Sequence, residues 1–113
     1  MNNEKIDFSN LDFKYMKTNG NVRYYYRAGK WDEGCFTSDE TVPMHIAATC
    51  LHYGQNCFEG LKVFQTKNGD IAAFRPEENY KRLVKSANKL FMTPPTKEIF
   101  FDALNKVVKE NKE

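Results

Sequence analysis

The hydrophobic period of this chain changes once, at Arg75-Pro76, and that switch limits the available folds more than any other feature. Beyond it, Tyr80, Leu83, Val84, Ala87, Leu90 and Phe91 recur at the i, i+3, i+4 and i+7 spacing that gathers side chains on one stripe of a helix. Pro76 suits the first helical position, where its missing N–H would have no partner, and Glu77 and Glu78 favour the positive end of the helix dipole. Thr93-Pro94-Pro95 ends this helix. A second is expected from Thr96, a candidate N-cap, with Glu98 in its first turn and Phe100, Ala103, Leu104, Val107 and Val108 along one side.

Ahead of the switch the period is two. Val22, Tyr24, Tyr26 and Ala28 fall on one face of a strand, and Arg23, Tyr25 and Arg27 on the other. Gly29-Lys30 is expected to turn that strand back through Trp31. Leu61 to Thr66 and Ile71 to Phe74 read as a hairpin, with Asn68-Gly69 supplying the positive φ angles of a type I′ turn. Residues 45–58 have no clean period, and their mixture of polar and apolar groups suggests a shaped loop or short helix. Upstream, Phe8, Leu11, Phe13 and Tyr15 are expected to pin an N-terminal arm onto the core.

Strands followed by two helices predict an α+β fold, with helices covering one face of a largely antiparallel sheet. With 113 residues, no repeat and no Pro/Gly-rich linker, one domain over 1–113 is expected. By strict alternation the other sheet face carries Tyr25, Lys62 and Phe64. An aromatic face left open marks a partner surface, so one reading is a standalone protein-interaction module.

Charge and composition exclude several classes. Apolar residues at 41% and aromatics at 14% are too many for wholesale disorder. A net charge of +2 does not favour bulk nucleic-acid binding. Arg23-Tyr24-Tyr25-Tyr26-Arg27 has the interleaving on which bases stack, but a half-buried strand with Arg on its solvent face is the plainer reading. No apolar run approaches the roughly 18–20 residues that cross a bilayer, and Met1 to Asp7 is polar, so a cytoplasmic address without membrane contact is expected. The odd count of cysteines, Cys35, Cys50 and Cys57, points to reduced thiols. His45, Cys50, His52 and Cys57 are metal-type ligands that lack both the short Cys–Cys and the short His–His spacing of zinc sites, so no metal site is expected. Cys57 beside His52 lacks a third, orienting group, and no phosphate loop, dinucleotide fingerprint or nucleophile elbow is present.

Arg82 is the most informative basic residue. At about 100° per residue it lies nearly opposite the apolar stripe of its helix. Either it is a solvated charge paired with Glu78 at i, i+4, or its fork of donors faces an anion such as a phosphate outside this domain.

Leu51-His52-Tyr53-Gly54-Gln55, Phe58-Glu59-Gly60-Leu61-Lys62, Phe74-Arg75-Pro76-Glu77-Glu78-Asn79, Arg82-Leu83 and Ser86-Ala87 occur in that order. Together they resemble the N-terminal small domain of the branched-chain aminotransferases, fold-type IV enzymes dependent on pyridoxal 5′-phosphate. The resemblance runs from about Ile6 to Asn111, and ordered motifs at matching separations are more specific than any one of them. It implies that Arg82 binds the cofactor phosphate and that Phe58 and Gly60 line the substrate pocket. It implies that Tyr53 reaches the neighbouring subunit's pocket in a homodimer. Lys62 sits where the family carries Arg or Lys, with no catalytic role implied.

The family's cofactor-attached lysine belongs to its C-terminal domain, and Lys62, Lys81 and Lys85 do not replace it. The chain is therefore expected to be inactive alone, to hold pyridoxal phosphate weakly or not at all, and to need that C-terminal domain as partner. The implied reaction moves an amino group from leucine, isoleucine or valine to 2-oxoglutarate. D-amino acid transaminases and aminodeoxychorismate lyases share the fold, but the Phe58 to Lys62 run leans toward the branched-chain group.

Overall fold

The computed structural model of the chain describes residues 15–112. Its elements are β1 (Asn21–Arg23), β2 (Tyr26–Arg27), β3 (Lys30–Trp31), β4 (Cys35–Thr37), α1 (Thr49–His52), β5 (Val63–Gln65), β6 (Ile71–Ala73), α2 (Pro76–Lys89) and α3 (Lys97–Asn111). This is the α+β class read from the pattern, and every strand pair is antiparallel. The strands form three separate two-stranded ladders rather than one sheet: β1 with β4, β2 with β3, and β5 with β6. Of the four residues expected to pin the N-terminal arm, Phe8, Leu11 and Phe13 lie outside the described residues, and Tyr15 is exposed.

The strand expected over 22–28 is interrupted at Tyr24-Tyr25. Asp32 accounts for the break: its carboxylate accepts from the backbone N–H of Tyr25 and of Gly34, each at 3.0 Å, and its own N–H donates to the Tyr25 carbonyl at 2.9 Å. That knot spends the ladder bonds of residue 25 locally and starts a fresh hairpin, β2–β3, in which Tyr26 faces Trp31 with ring centroids 5.3 Å apart. The turn is at Ala28-Gly29, both at positive φ, which a two-residue hairpin loop requires. Because Tyr25 lies between strands and Phe64 belongs to a different ladder, the shared aromatic sheet face expected for Tyr25, Lys62 and Phe64 does not form.

The second hairpin forms where expected with a different turn. Thr66 N–H bonds to the Asp70 carbonyl at 2.7 Å, leaving a three-residue loop, and the Gly69 N–H closes back on Thr66 at 3.0 Å. In a loop of that length one residue takes the left-handed conformation, and it is Gly69, not Asn68.

Helix α2 starts at Pro76 as expected and stops two residues short of Phe91. Its C-terminus is a Schellman closure: Phe91 N–H donates to Asn88 at 3.2 Å and Met92 N–H to Ala87 at 2.9 Å. Phe91 therefore holds a left-handed φ of 57° and points into solvent instead of joining the apolar stripe. The cap of α3 is as read, with Thr96 Oγ1 accepting from Ile99 N–H at 3.2 Å.

The N-terminal ladder is fastened to α3. Asn111 accepts from the Asn19 N–H at 2.9 Å and donates to the Gly20 carbonyl at 3.2 Å, while the Tyr24 hydroxyl donates to the Asp102 carboxylate. Helices α2 and α3 meet where the Tyr80 and Phe100 rings pack tilted with centroids 5.4 Å apart and the Tyr80 hydroxyl donates to the Pro95 carbonyl at 3.1 Å. The core is thin. Among the described residues Ala87 is the one buried apolar residue and Asn79 the one buried polar residue. Large apolar side chains of the described residues stay uncovered, among them Leu51, Phe58, Phe64 and Phe74.

Candidate functional site

A strap of chain after α1 builds the site. Helix α1 closes at Tyr53, whose N–H returns to the Thr49 carbonyl at 2.9 Å, and Gly54 at φ 63° turns the chain away. Gln55 anchors the near end: Thr49 Oγ1 donates to its Oε1 at 2.5 Å, and its Nε2 donates to the Leu90 carbonyl at 2.8 Å. Glu59 and Gly60 anchor the far end, where Asn79 Nδ2 donates to Glu59 Oε2 and to the Gly60 carbonyl, each at 2.9 Å. With Gln55 at the C-terminal end of α2 and Gly60 at Asn79 near its start, the strap runs antiparallel to α2.

Arg82 joins this far end. Its Nη2 lies 3.0 Å from Glu59 Oε2, the same oxygen that Asn79 holds. Glu78 is engaged elsewhere, with Arg75 at 3.7 Å and Lys81 at 3.4 Å, so the i, i+4 pairing is not the one formed. The Arg82 side chain remains 64% exposed, whereas that of Glu59 is 17% exposed. One of the five N–H groups of the guanidinium is thus engaged by Glu59 and the outer face is open. A planar fork with free donors suits an oxygen-rich anion, and in that respect the residues present fit the phosphate of pyridoxal phosphate.

The strap also places the three residues read as substrate contacts. Phe58 is 90% and Tyr53 85% exposed, so both rings are presented outward with little cover from this chain. A Cβ built on Gly60 meets nothing within 4 Å, which leaves open space beside the Arg82 cluster. Gly60 and Arg82 come together through Glu59 and Asn79, Phe58 is the next residue along the strap, and Tyr53 stands at its other end. Lys62 is exposed just before β5. Sequence reasoning missed Glu59 and Asn79. A signal for Asn79 existed: it stands three residues before Arg82, the spacing that puts two side chains on one helix face.

The other candidates are engaged elsewhere. His45 Nδ1 accepts from the Ala47 N–H at 3.0 Å, the His52 ring bonds to the Ile46 carbonyl, and Cys50 lies 3.3 Å from the Met44 sulfur. All three cysteines are free thiols, and among the described residues no group of three His, Cys, Asp or Glu could hold a metal. Arg23 bonds to Asn21 at 2.8 Å and to the Asp39 carbonyl at 2.6 Å, while Arg27 covers the Tyr25 ring at 4.6 Å. Far from the strap in sequence, Lys106 lies 2.8 Å from Asp102, and its hydrogen bond, with that of Tyr24, holds the Asp102 carboxyl below the ordinary range. Asp102 in turn raises Lys106, and removal from water followed by the Asp102 bond raises the Tyr24 phenol. No helix among the described residues is long and apolar enough to cross a membrane.

No family model matches the chain. It is 44% identical over 108 residues to the branched-chain-amino-acid aminotransferase of Haemophilus influenzae, a match covering 96% of this chain and 32% of that protein. The enzyme of the same name from Helicobacter pylori is 39% identical over 110 residues, covering 97% and 32%. Branched-chain-amino-acid aminotransferase 5, chloroplastic, of Arabidopsis thaliana is 35% identical over 113 residues, covering 96% and 26%. The chain spans about a third of the length of the curated relatives it matches. Over nearly all of its own residues, from the strap through both long helices, the chain is homologous to the N-terminal third of the branched-chain aminotransferases.

Proposed function

We propose that this chain is the N-terminal small domain of a pyridoxal phosphate-dependent branched-chain aminotransferase and that its strap forms one side of the active site. The observation that carries this reading is the open guanidinium of Arg82, fixed at the end of the segment that also presents Phe58 and Gly60. When bound, pyridoxal phosphate supplies the electron sink that lets an amino group pass between an amino acid and a 2-oxo acid. The part played by this chain is recognition. Arg82 holds the phosphate oxygens with its free donors. Phe58 provides an aromatic wall, and Gly60, having no side chain, leaves room beside it for a branched aliphatic group. Tyr53 extends from the start of the strap toward a second subunit.

The substrates in this reading are leucine, isoleucine or valine with 2-oxoglutarate. The C-terminal domain of the same enzyme is the necessary partner, within a homodimer, because the lysine that carries the cofactor in this family lies there. The chain by itself is inactive and holds the cofactor weakly, since one arginine makes too few contacts. The uncovered apolar surface suits a piece that packs against a larger domain. Three free thiols suit a reducing compartment such as the cytoplasm.

The test is co-expression of these 113 residues with the remaining C-terminal part of the Haemophilus influenzae enzyme. Leucine-dependent glutamate formation by the pair, absent from either part alone, supports the reading. Activity of the 113 residues alone, or an assembled pair that neither retains cofactor nor turns over leucine, contradicts it.

A further inference from the structure

We infer that Asn79 and Glu59 are positioning residues that set the plane of the Arg82 guanidinium for a phosphate. This inference rests on the reading of Arg82 given above. Asn79 is the one buried polar residue among those described, and burying an amide is unfavourable unless its hydrogen bonds are made. Both bonds go to the strap at one point, Glu59 Oε2 and the Gly60 carbonyl. That anchoring gives Glu59 a fixed rotamer, and its Oε2 then takes Arg82 Nη2 at 3.0 Å. A long, exposed arginine otherwise samples many rotamers, and each one frozen in advance is entropy not lost when the anion arrives. Each bidentate edge of the guanidinium uses one of the two Nη2 hydrogens, beside Nε–H on one edge and beside Nη1–H on the other, so contact through one Nη2 hydrogen leaves the other edge free for a bidentate grip.

The Glu59 carboxylate also repels an incoming phosphate, so deleting it changes orientation and charge together. A charge-matched pair of variants separates the two. Glu59→Gln keeps an acceptor oxygen for both Asn79 and Arg82, and Glu59→Ala keeps none, while both are neutral. The experiment titrates the full 113-residue chain with inorganic phosphate and follows the Arg82 Nε–H resonance by NMR, identified by its loss in Arg82→Lys. Backbone amide shifts of α2 report whether the helix is intact, and pyridoxal without phosphate serves as the control ligand.

Glu59→Gln is expected to bind phosphate about fivefold more tightly than Glu59→Ala, the worth of one oriented hydrogen bond. Asn79→Ala, with α2 shifts unchanged, is expected to weaken phosphate about fivefold relative to the unsubstituted chain, and pyridoxal is expected to move none of these resonances. Equal phosphate affinity for Glu59→Gln and Glu59→Ala overturns the positioning role, whether or not Asn79→Ala folds. Phosphate affinity that does not depend on Arg82 overturns the phosphate reading itself, and the positioning role with it.

Discussion

Replacing Phe91 with glycine should make this chain more stable, although it deletes a large aromatic side chain. Phe91 sits at φ 57° in the closure that ends α2, a conformation that costs an L-residue roughly 1–2 kcal/mol because Cβ crowds the neighbouring carbonyl. Glycine removes that cost. Its greater freedom in the unfolded chain takes back about 0.5–1 kcal/mol. The lost side chain subtracts almost nothing, because Phe91 is 96% exposed. The net is a gain of roughly 0–1.5 kcal/mol, centred on about 0.75, which for a domain of this size raises the thermal midpoint by about 3 °C. The assay is thermal and urea unfolding of the chain and of Phe91→Gly, followed by far-ultraviolet circular dichroism. Phe91→Ala is the control, since alanine keeps Cβ and with it most of the strain. A lower midpoint for Phe91→Gly, or an equal gain for Phe91→Ala, would mean that left-handed strain at residue 91 does not limit the stability of this chain.

Three further outcomes follow from the fold. Thr96→Ala removes the oxygen that caps α3 and should cost about 1 kcal/mol in urea unfolding. Gly34→Ala should cost at least about 2 kcal/mol, because Gly34 has φ 77° and its new Cβ would overlap the Tyr24 ring, which the Asp102 bond ties to α3. The Asp102 carboxyl titrates below its unfolded value of 3.8, so its contribution is present above that value and lost as pH falls through the folded one. Lys106 and Tyr24 are raised above 10.5 and 10.0, so theirs are present below those values and lost as pH climbs past them. Asp102→Asn should therefore flatten the thermal midpoint at both extremes of pH, and high salt should mimic part of that effect because the pair is exposed.

The long-range half of the fold was less legible in the sequence than the local half. Pro76 and Thr96 mark both helix starts because a missing N–H and a capping hydroxyl act within one turn. The helix end at Lys89 was misplaced because Phe91 continues the apolar period, and its left-handed backbone has no residue-type signal of the kind glycine would give. Strand alternation through Tyr24-Tyr25 misled because Asp32, seven residues on, captures the Tyr25 backbone. In the site, Arg82 stood out as a cation opposite the apolar stripe, and ordered motifs marked Tyr53, Phe58 and Gly60. Glu59 as its partner depends on the strap crossing back along α2, a contact 23 residues apart that periodicity does not encode.

The most direct measurement is the dissociation constant of pyridoxal phosphate, beside that of pyridoxal, for the assembled two-part enzyme with and without Arg82→Ala. Arg82→Ala is expected to weaken pyridoxal phosphate about tenfold or more, as for the loss of a charged hydrogen-bonding pair, and to leave pyridoxal unchanged. Equal retention of pyridoxal phosphate by both proteins, or an equal loss of both ligands, would contradict a phosphate-binding role for Arg82.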